Sequence, residues 1–240
     1  MPHFLIKKEN IENNLLMVKD EEIVSHLFYS LRIKQGETVK FIDEFETVYQ
    51  TEIYDISKKE IKAGIIKSFK SARKLNFNLS VLISILKQDA MNLAIQNAVQ
   101  LGAKEIYTVY SNNSAVKFNS IKNKADKWQK IAMESFKQCE RADIPFVYDA
   151  KKFNEVFNLF KKENIIIFAE KYDKFTLKEA VSTIDKNEKV LAVFGPEGGF
   201  SEEEFDYFKK ENLKLATLGK LILKAPNALT AGLFGIIQNV

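Results

Sequence analysis

The stretch that most limits what this chain can fold into is Val190-Leu191-Ala192-Val193-Phe194-Gly195-Pro196-Glu197-Gly198-Gly199-Phe200-Ser201-Glu202-Glu203-Glu204. Its first five residues form an unbroken apolar run, as expected of a strand buried on both faces. Ser201 followed three residues later by Glu204 makes a capping box, and Phe205 and Phe208 continue at helical spacing. The order is therefore strand, glycine loop, capped helix. Three of the chain's nine glycines fall between positions 195 and 199, where the missing Cβ lets backbone approach a ligand closely. The carboxyl end of a strand in an open α/β sheet is a usual place for a ligand. A βα turn can equally be glycine-rich for geometry alone. The loop has no Gly-Lys-Ser/Thr, so it is not a phosphate loop of that kind. It also lacks G-x-G-x-x-G spacing, and Pro196 would disturb the turn of a dinucleotide fingerprint.

From about residue 75 onward, strands and helices alternate. Leu79–Leu86 reads as a buried parallel strand. Ala90–Leu101 reads as a helix stopped by Gly102. Glu105–Tyr110 is a strand, and Ile121–Arg141 a long helix carrying the only tryptophan, Trp128. Val156–Lys162 is amphipathic, Asn164–Ala169 is a buried strand, and Thr176–Ile184 a helix. Leu213–Thr217 is a further short strand, followed by a second loop, Leu218–Ala228, and an apolar helix over Asn227–Gln238. This alternation predicts a mostly parallel sheet with helices on both faces.

The first 72 residues are different. Short strands are expected at Phe4–Ile6, Leu15–Val18, Thr38–Asp43, Glu46–Ser57 and Glu60–Phe69, with a helix from Asp20 to about Leu31. Several short strands separated by turn residues suggest a small barrel. The stretch Lys67–Asn78 carries Lys67, Lys70, Arg73 and Lys74 and no acid. It reads as a connector between domains, either solvated or facing phosphate.

Composition narrows the class of protein. At 46% apolar residues, 240 residues can bury a substantial core. A formal charge of +4 is compatible with nucleic acid but does not require it. Cys139 is the only cysteine, so no intrachain disulfide can form, and a reducing compartment fits. Cys139 itself reads as a small buried hydrophobe. With only His3 and His26 beside it, the ligand set for zinc is thin, and no metal is expected. No apolar run reaches the roughly 18–20 residues needed to cross a bilayer, and the first residues lack a secretory h-region. A cytoplasmic protein is the consistent expectation.

The two loops taken together resemble a known family. GPEGGFSEEE, followed about twenty residues later by Leu218-Gly219 and then Ile222-Leu223-Lys224-Ala225 and Ala228, is similar to the RsmE family. These are the 16S rRNA uridine-N3 methyltransferases of the SPOUT, or trefoil-knot, class. Met91–Gly102, Trp128–Ala132 and Gln138-Cys139-Glu140-Arg141 with Pro145 resemble other family segments in the same order, so the resemblance spans nearly the whole chain. It implies an α/β knot domain over residues 73–240 and a small PUA-like RNA-binding β-barrel over residues 1–72. It implies S-adenosylmethionine held by knotted loops, with Phe194, Gly195, Gly198, Gly199, Leu218, Gly219, Ile222 and Leu223 as cofactor residues. Contacts to RNA would come from His26, Arg32, Gln138 and Lys224. Arg141 and Glu197 are the candidates for catalysis, although Glu197 also suits a loop-shaping role before a helix start. The substrate would be 16S rRNA in the small ribosomal subunit, and the chain would form a homodimer through the knot.

Several positions depart from the family pattern. Leu221 and Lys224 stand where arginines are usual, Pro226 where glutamate is usual, and Asn113 where arginine is usual. Asn97 and Gln100 replace a lysine and a glutamate, and Tyr29 replaces a basic residue. These changes spare the glycine loops and fall on charges expected to face RNA. Two alternatives therefore stay open beside an active enzyme: an RNA-binding protein of the same fold without turnover, and an unrelated nucleotide-binding α/β enzyme.

Overall fold

A computed structural model of the protein describes residues 3–116, 124–170 and 175–240. The chain divides into two units, Met1–Lys74 with Phe136–Ile144, and Leu75–Ser135 with Pro145–Val240.

In the first unit, six strands form one sheet: β1 (His3–Leu5), β2 (Ile11–Glu12), β3 (Leu15–Val18), β4 (Thr38–Ile42), β5 (Thr47–Ile56) and β6 (Ile61–Lys70). Their order is β1-β4-β5-β6-β3-β2. β1 runs parallel to β4, and the remaining pairs are antiparallel. Phe4 from one end of that order shares a core with Leu16 and Val18 from near the other. The sheet therefore curls around its own interior, as the expected barrel requires. Register shifts at Gln50/Thr51 and Ile53/Asp55 in β5 supply the bend.

Asp20 caps α1 (Glu21–Ser25) by accepting a hydrogen bond from the Ile23 amide at 3.0 Å. The helix expected to reach Leu31 then widens over His26–Ser30, where the Leu31 amide bonds five residues back to His26. Arg32 ends it in a left-handed conformation, φ +52°. The basic stretch after position 66 is only partly a connector. Lys67 and Lys70 lie within β6, Arg73 pairs with Glu140, and Lys74 pairs with Glu46.

The second unit holds seven parallel strands: β7 (Leu79–Ser84), β8 (Glu105–Val109), β9 (Phe146–Val147), β10 (Ile165–Phe168), β11 (Phe175–Thr176), β12 (Val190–Phe194) and β13 (Lys214–Thr217). Their order is β11-β13-β10-β12-β7-β8-β9. Its helices are α2 (Gln88–Gln100), α3 (Ala125–Cys139, in this unit as far as Ser135), α4 (Phe153–Phe157), α5 (Leu177–Val181), α6 (Glu202–Lys210) and α7 (Ala225–Asn239). α3 is shorter than expected at both ends, and residues 121–123 lie outside the described residues. The amphipathic stretch Val156–Lys162 is helical only in α4, because the amides of Leu159 and Phe160 tighten to bonds three residues back.

Alternation along the strands explains the two covered faces. Leu191 and Val193 of β12 pack in one cluster with Val156, Phe157, Phe205 and Phe208, so α4 and α6 cover that face. Phe194 has the opposite parity and meets α7. A Cβ on Gly232 would lie 2.9 Å from the Phe194 ring and 3.0 Å from Phe168. Those two rings stack at 4.8 Å and 4°. The missing side chain lets α7 sit directly on the stacked pair. Among the described residues, no helix is long and apolar enough to cross a membrane.

Candidate ligand site at the strand ends

Three adjacent strands of the second unit end level with one another. Phe168 of β10 pairs with Phe194 of β12 on one side and with Ala216 of β13 on the other. The segments that follow these strands enclose a cavity of about 450 Å³ with largely aliphatic and aromatic walls. That volume is within the range of small-molecule sites, roughly 300–1,000 Å³.

The loop after β12 turns through a hydrogen bond from the Gly199 amide to the Pro196 carbonyl at 2.9 Å. Gly199 takes φ +71°, a left-handed conformation open to glycine with little cost. Ser201 then caps α6. Its hydroxyl accepts from the Glu204 amide at 3.2 Å, and its own amide donates to the Glu204 carboxylate at 2.8 Å. The three acids opening α6 suit the positive end of the helix dipole. The Ser201 hydroxyl and the amide at its own helix start hold the Glu203 carboxyl below the usual carboxylate range.

The loop after β13 is shaped by Thr217, whose hydroxyl accepts from the Gly219 amide at 3.2 Å. Gly219 takes φ +115°. Lys224 then precedes α7, its carbonyl accepting the amides of Asn227 and Ala228. Pro226 sits in the first turn, where its missing N–H leaves no helix bond unmade. Leu221 and Ile222 are 82% and 80% exposed. Two bulky apolar side chains thus stand at the mouth of an apolar cavity.

Phe194, Gly195, Gly199, Leu218, Gly219, Ile222 and Leu223 all line this cavity, as do Glu197 and Lys224. Gly198 does not. It faces Asn113, whose carbonyl oxygen would lie 3.1 Å from an added Cβ. Glu197 points its Oε1 at the Lys87 amide, 3.0 Å away. Its carboxylate therefore ties the glycine loop to the start of α2.

The other sequence-derived candidates belong to the first unit. His26 and Arg32 are exposed, and the His26 ring packs against Phe4 at 5.6 Å. Gln138 is exposed on α3. Arg141, a candidate for catalysis, has its guanidinium engaged within the protein. It is buried, 5% exposed, and donates to both oxygens of Asp143, at 3.0 and 2.6 Å. A bidentate pair of this kind holds the side chain in one geometry.

Three features went unread in the sequence. Glu204 is more than a cap. At 6% exposure it also accepts from the Ser111 hydroxyl and the Asn112 amide, both at 2.9 Å. Asn112 and Asn113 add bonds to the Ser201 hydroxyl and the Gly199 carbonyl. The segment after β8 is thereby fastened to the glycine loop. Glu170, just beyond β10, puts a carboxylate on the cavity wall. Its signal was available, since the strand-end rule applies to β10 as well as to β12. The departures at Asn113 and Asn97 each make a new bond. Asn97 donates to the Thr230 hydroxyl at 2.9 Å, joining α2 to α7.

A parallel sheet covered on both faces, with a cavity walled by backbone and aliphatic groups at its strand ends, defines an α/β protein built to hold a small molecule. A family model for the RNA methyltransferase domain matches residues 73–236. The chain belongs to this RNA methyltransferase domain family. Ribosomal RNA small subunit methyltransferase E of Bacillus subtilis is 25% identical over 230 residues, covering 93% of this chain and 90% of the relative. The protein of the same name from Mesomycoplasma hyopneumoniae is 28% identical over 203 residues, covering 83% and 88%. The crystal structure of ribosomal RNA small subunit methyltransferase E from Neisseria gonorrhoeae bound to S-adenosyl methionine has the same fold. Its TM-score is 0.84 at 22% identity, covering 98% of this chain and 96% of that one.

Proposed function

We propose that the protein is an S-adenosylmethionine-dependent methyltransferase acting on N3 of a uridine in 16S rRNA of the small ribosomal subunit. The observation that carries this reading is the cavity at the ends of β10, β12 and β13, with Gly199 and Gly219 in left-handed turns on its wall. The residues suit the cofactor. Leu218, Ile222 and Leu223 offer a flat apolar slot for an adenine, the two glycines expose backbone groups, and Glu170 offers an acceptor for hydroxyl or ammonium groups. When bound, S-adenosylmethionine supplies a methyl group activated on a sulfonium sulfur.

The chain's own part is positioning and charge. The aliphatic walls exclude water from the reacting atoms. Lys224 at the cavity edge offers a cation to the uridine anion. Glu197 orients the loop through the Lys87 amide. Arg141 stabilises the first unit through Asp143, while His26, Arg32 and the exposed Tyr29 offer that unit's contacts to RNA. An intact cavity favours turnover over an RNA-binding remnant. The test is transfer of labelled methyl from S-adenosylmethionine to small subunits lacking the modification. Label at a single uridine, seen as a reverse-transcription stop, is expected. Labelling of no rRNA position would sink the reading.

The same proposal includes a homodimer. Leu93 on α2 and Phe234 on α7 are 45% and 56% exposed, on two helices that pack together through Asn97 and Thr230. Sedimentation equilibrium is expected to give twice the 27.6 kDa of one chain. A mass of one chain across the micromolar range would refute the dimer.

A further inference from the structure

The loop after β12 is fastened by a residue that lies outside its cavity. Asn113, in the segment after β8, donates from Nδ2 to the Gly199 carbonyl at 3.2 Å, across 86 positions of sequence. Its own carbonyl oxygen and Cβ lie 3.1 and 3.2 Å from the place a side chain on Gly198 would take. Asn113 therefore touches both members of the glycine pair, one by a hydrogen bond and the other by direct packing. It does not line the cavity, whereas Gly199 does. The Cβ position of Gly199 faces Glu170 of the cavity wall, whose Oε1 is 3.7 Å away.

The segment that carries Asn113 is itself anchored. The Ser114 amide donates to the Ser111 carbonyl at 2.9 Å, and the Ser111 amide to the Ser114 hydroxyl at 3.3 Å. Glu204 accepts from the Ser111 hydroxyl and the Asn112 amide, and the Asn112 side chain reaches the Ser201 hydroxyl at 3.0 Å. A donor on so fixed a base holds its acceptor in place. The acceptor matters because Gly199, at φ +71°, belongs to the residue type with the most backbone freedom to lose. A loop ordered beforehand removes that entropy loss from the binding step. A carbonyl oxygen has two lone pairs, so the bond from Asn113 leaves one for a donor on the ligand.

We propose that Asn113 is a positioning residue for the cofactor, its side-chain amide fixing the Gly198–Gly199 turn in the shape that binds S-adenosylmethionine. This role deepens the methyltransferase reading and rests on it for the identity of the ligand. It also changes the meaning of one departure from the family pattern. Where arginine is usual, this chain has lost a charge and gained a strut for the cofactor loop.

The test uses the full chain, with S-adenosylmethionine as the probe. Asn113→Ala and Asn113→Asp are compared with the parent by calorimetric titration, by hydrogen exchange of the peptide spanning residues 195–200, and by urea midpoint. Loss of the donor is expected to weaken cofactor binding about three- to tenfold, as one hydrogen bond contributes. Exchange in the ligand-free loop is expected to quicken, and the midpoint to stay near the parent's, since Asn113 is exposed. Asn113→Asp adds a pH signature. An ionised carboxylate opposes the Gly199 carbonyl, whereas a protonated one is again a donor. With that carbonyl and the Glu170, Glu203 and Glu204 carboxyls about the loop, the new group holds its proton above the usual ~4. Its binding is expected to recover toward the parent's as pH falls from about 7 to about 5. The ratio of the two affinities at each pH cancels the groups common to both proteins. Unchanged affinity in both variants would overturn the role. So would weaker binding with unchanged loop exchange, or weaker binding that tracks a falling midpoint with a flat pH ratio. Faster loop exchange in variants of a parent that binds no S-adenosylmethionine would leave the strut standing and remove the methyltransferase reading instead.

Discussion

Replacing Glu204 by alanine is expected to lower the stability of the second unit by about 3–5 kcal/mol, in the range for breaking a buried charged network. The carboxylate is buried and accepts from three separate donors outside its own side chain: the Ser111 hydroxyl, the Asn112 amide and the Ser201 amide. Alanine leaves all three without this acceptor, the Ser111 hydroxyl in a buried position. Two of them belong to the segment after β8 and one to the helix cap, so both segments lose their shared anchor. The loss should appear as a lower urea midpoint followed through Trp128, the only tryptophan and a residue of the second unit. S-adenosylmethionine binding should weaken in the same protein, because the loop that begins at Gly195 ends on this carboxylate. Glu204→Gln preserves shape and part of the acceptor capacity and is expected to fall between the two. An unchanged midpoint for the alanine variant would mean that the carboxylate does not hold these segments together.

Gly199→Val is the second large effect, and it separates binding from folding. At φ +71° a β-branched residue is strained by about 1–3 kcal/mol. An added side chain would also point toward Glu170, whose Oε1 lies 3.7 Å from the Cβ position. The loop can relieve the strain only by leaving its present turn, which removes backbone groups from the cavity wall. Calorimetric titration is expected to show S-adenosylmethionine affinity reduced at least thirtyfold, equivalent to about 2 kcal/mol. The urea midpoint should change less than in the Glu204 variant, since Gly199 is partly exposed and fastened by few bonds. Wild-type affinity in the valine variant would contradict the placement of the cofactor against this loop.

The strand–loop–helix units were legible because each depends on neighbours in sequence. The capping box at Ser201 and Glu204, the apolar run of β12 and the proline in the first turn of α7 are local patterns, and the structure shows them at those positions. The seven cavity-lining residues proposed for the cofactor sit at strand ends, where chain order already limits the choice. Periodicity could not show which loops meet. The bonds from Ser111, Asn112 and Asn113 to the glycine loop join residues far apart in sequence, and short polar residues carry no record of a distant partner. Arg141 illustrates the same limit in reverse. The family resemblance made it a candidate for catalysis, while Asp143, only two residues away, takes up its guanidinium. The trefoil knot implied by the family resemblance is beyond periodicity altogether, since threading a chain through a loop changes no local pattern.

The pairing of β12 with β7 has a kinetic meaning. Val190 lies beside Leu79, so the centre of the sheet joins segments that are well separated along the chain. Distant pairings of this kind make folding slow, because chain entropy is lost before contacts repay it. The cavity walls come from the ends of β10, β12 and β13, so the ligand-competent surface exists only once these pairings have formed. A small molecule that recognises only the finished surface acts chiefly by slowing its dissolution. The cofactor would then govern how long each folded molecule survives, while the speed of reaching that state stays a property of the chain.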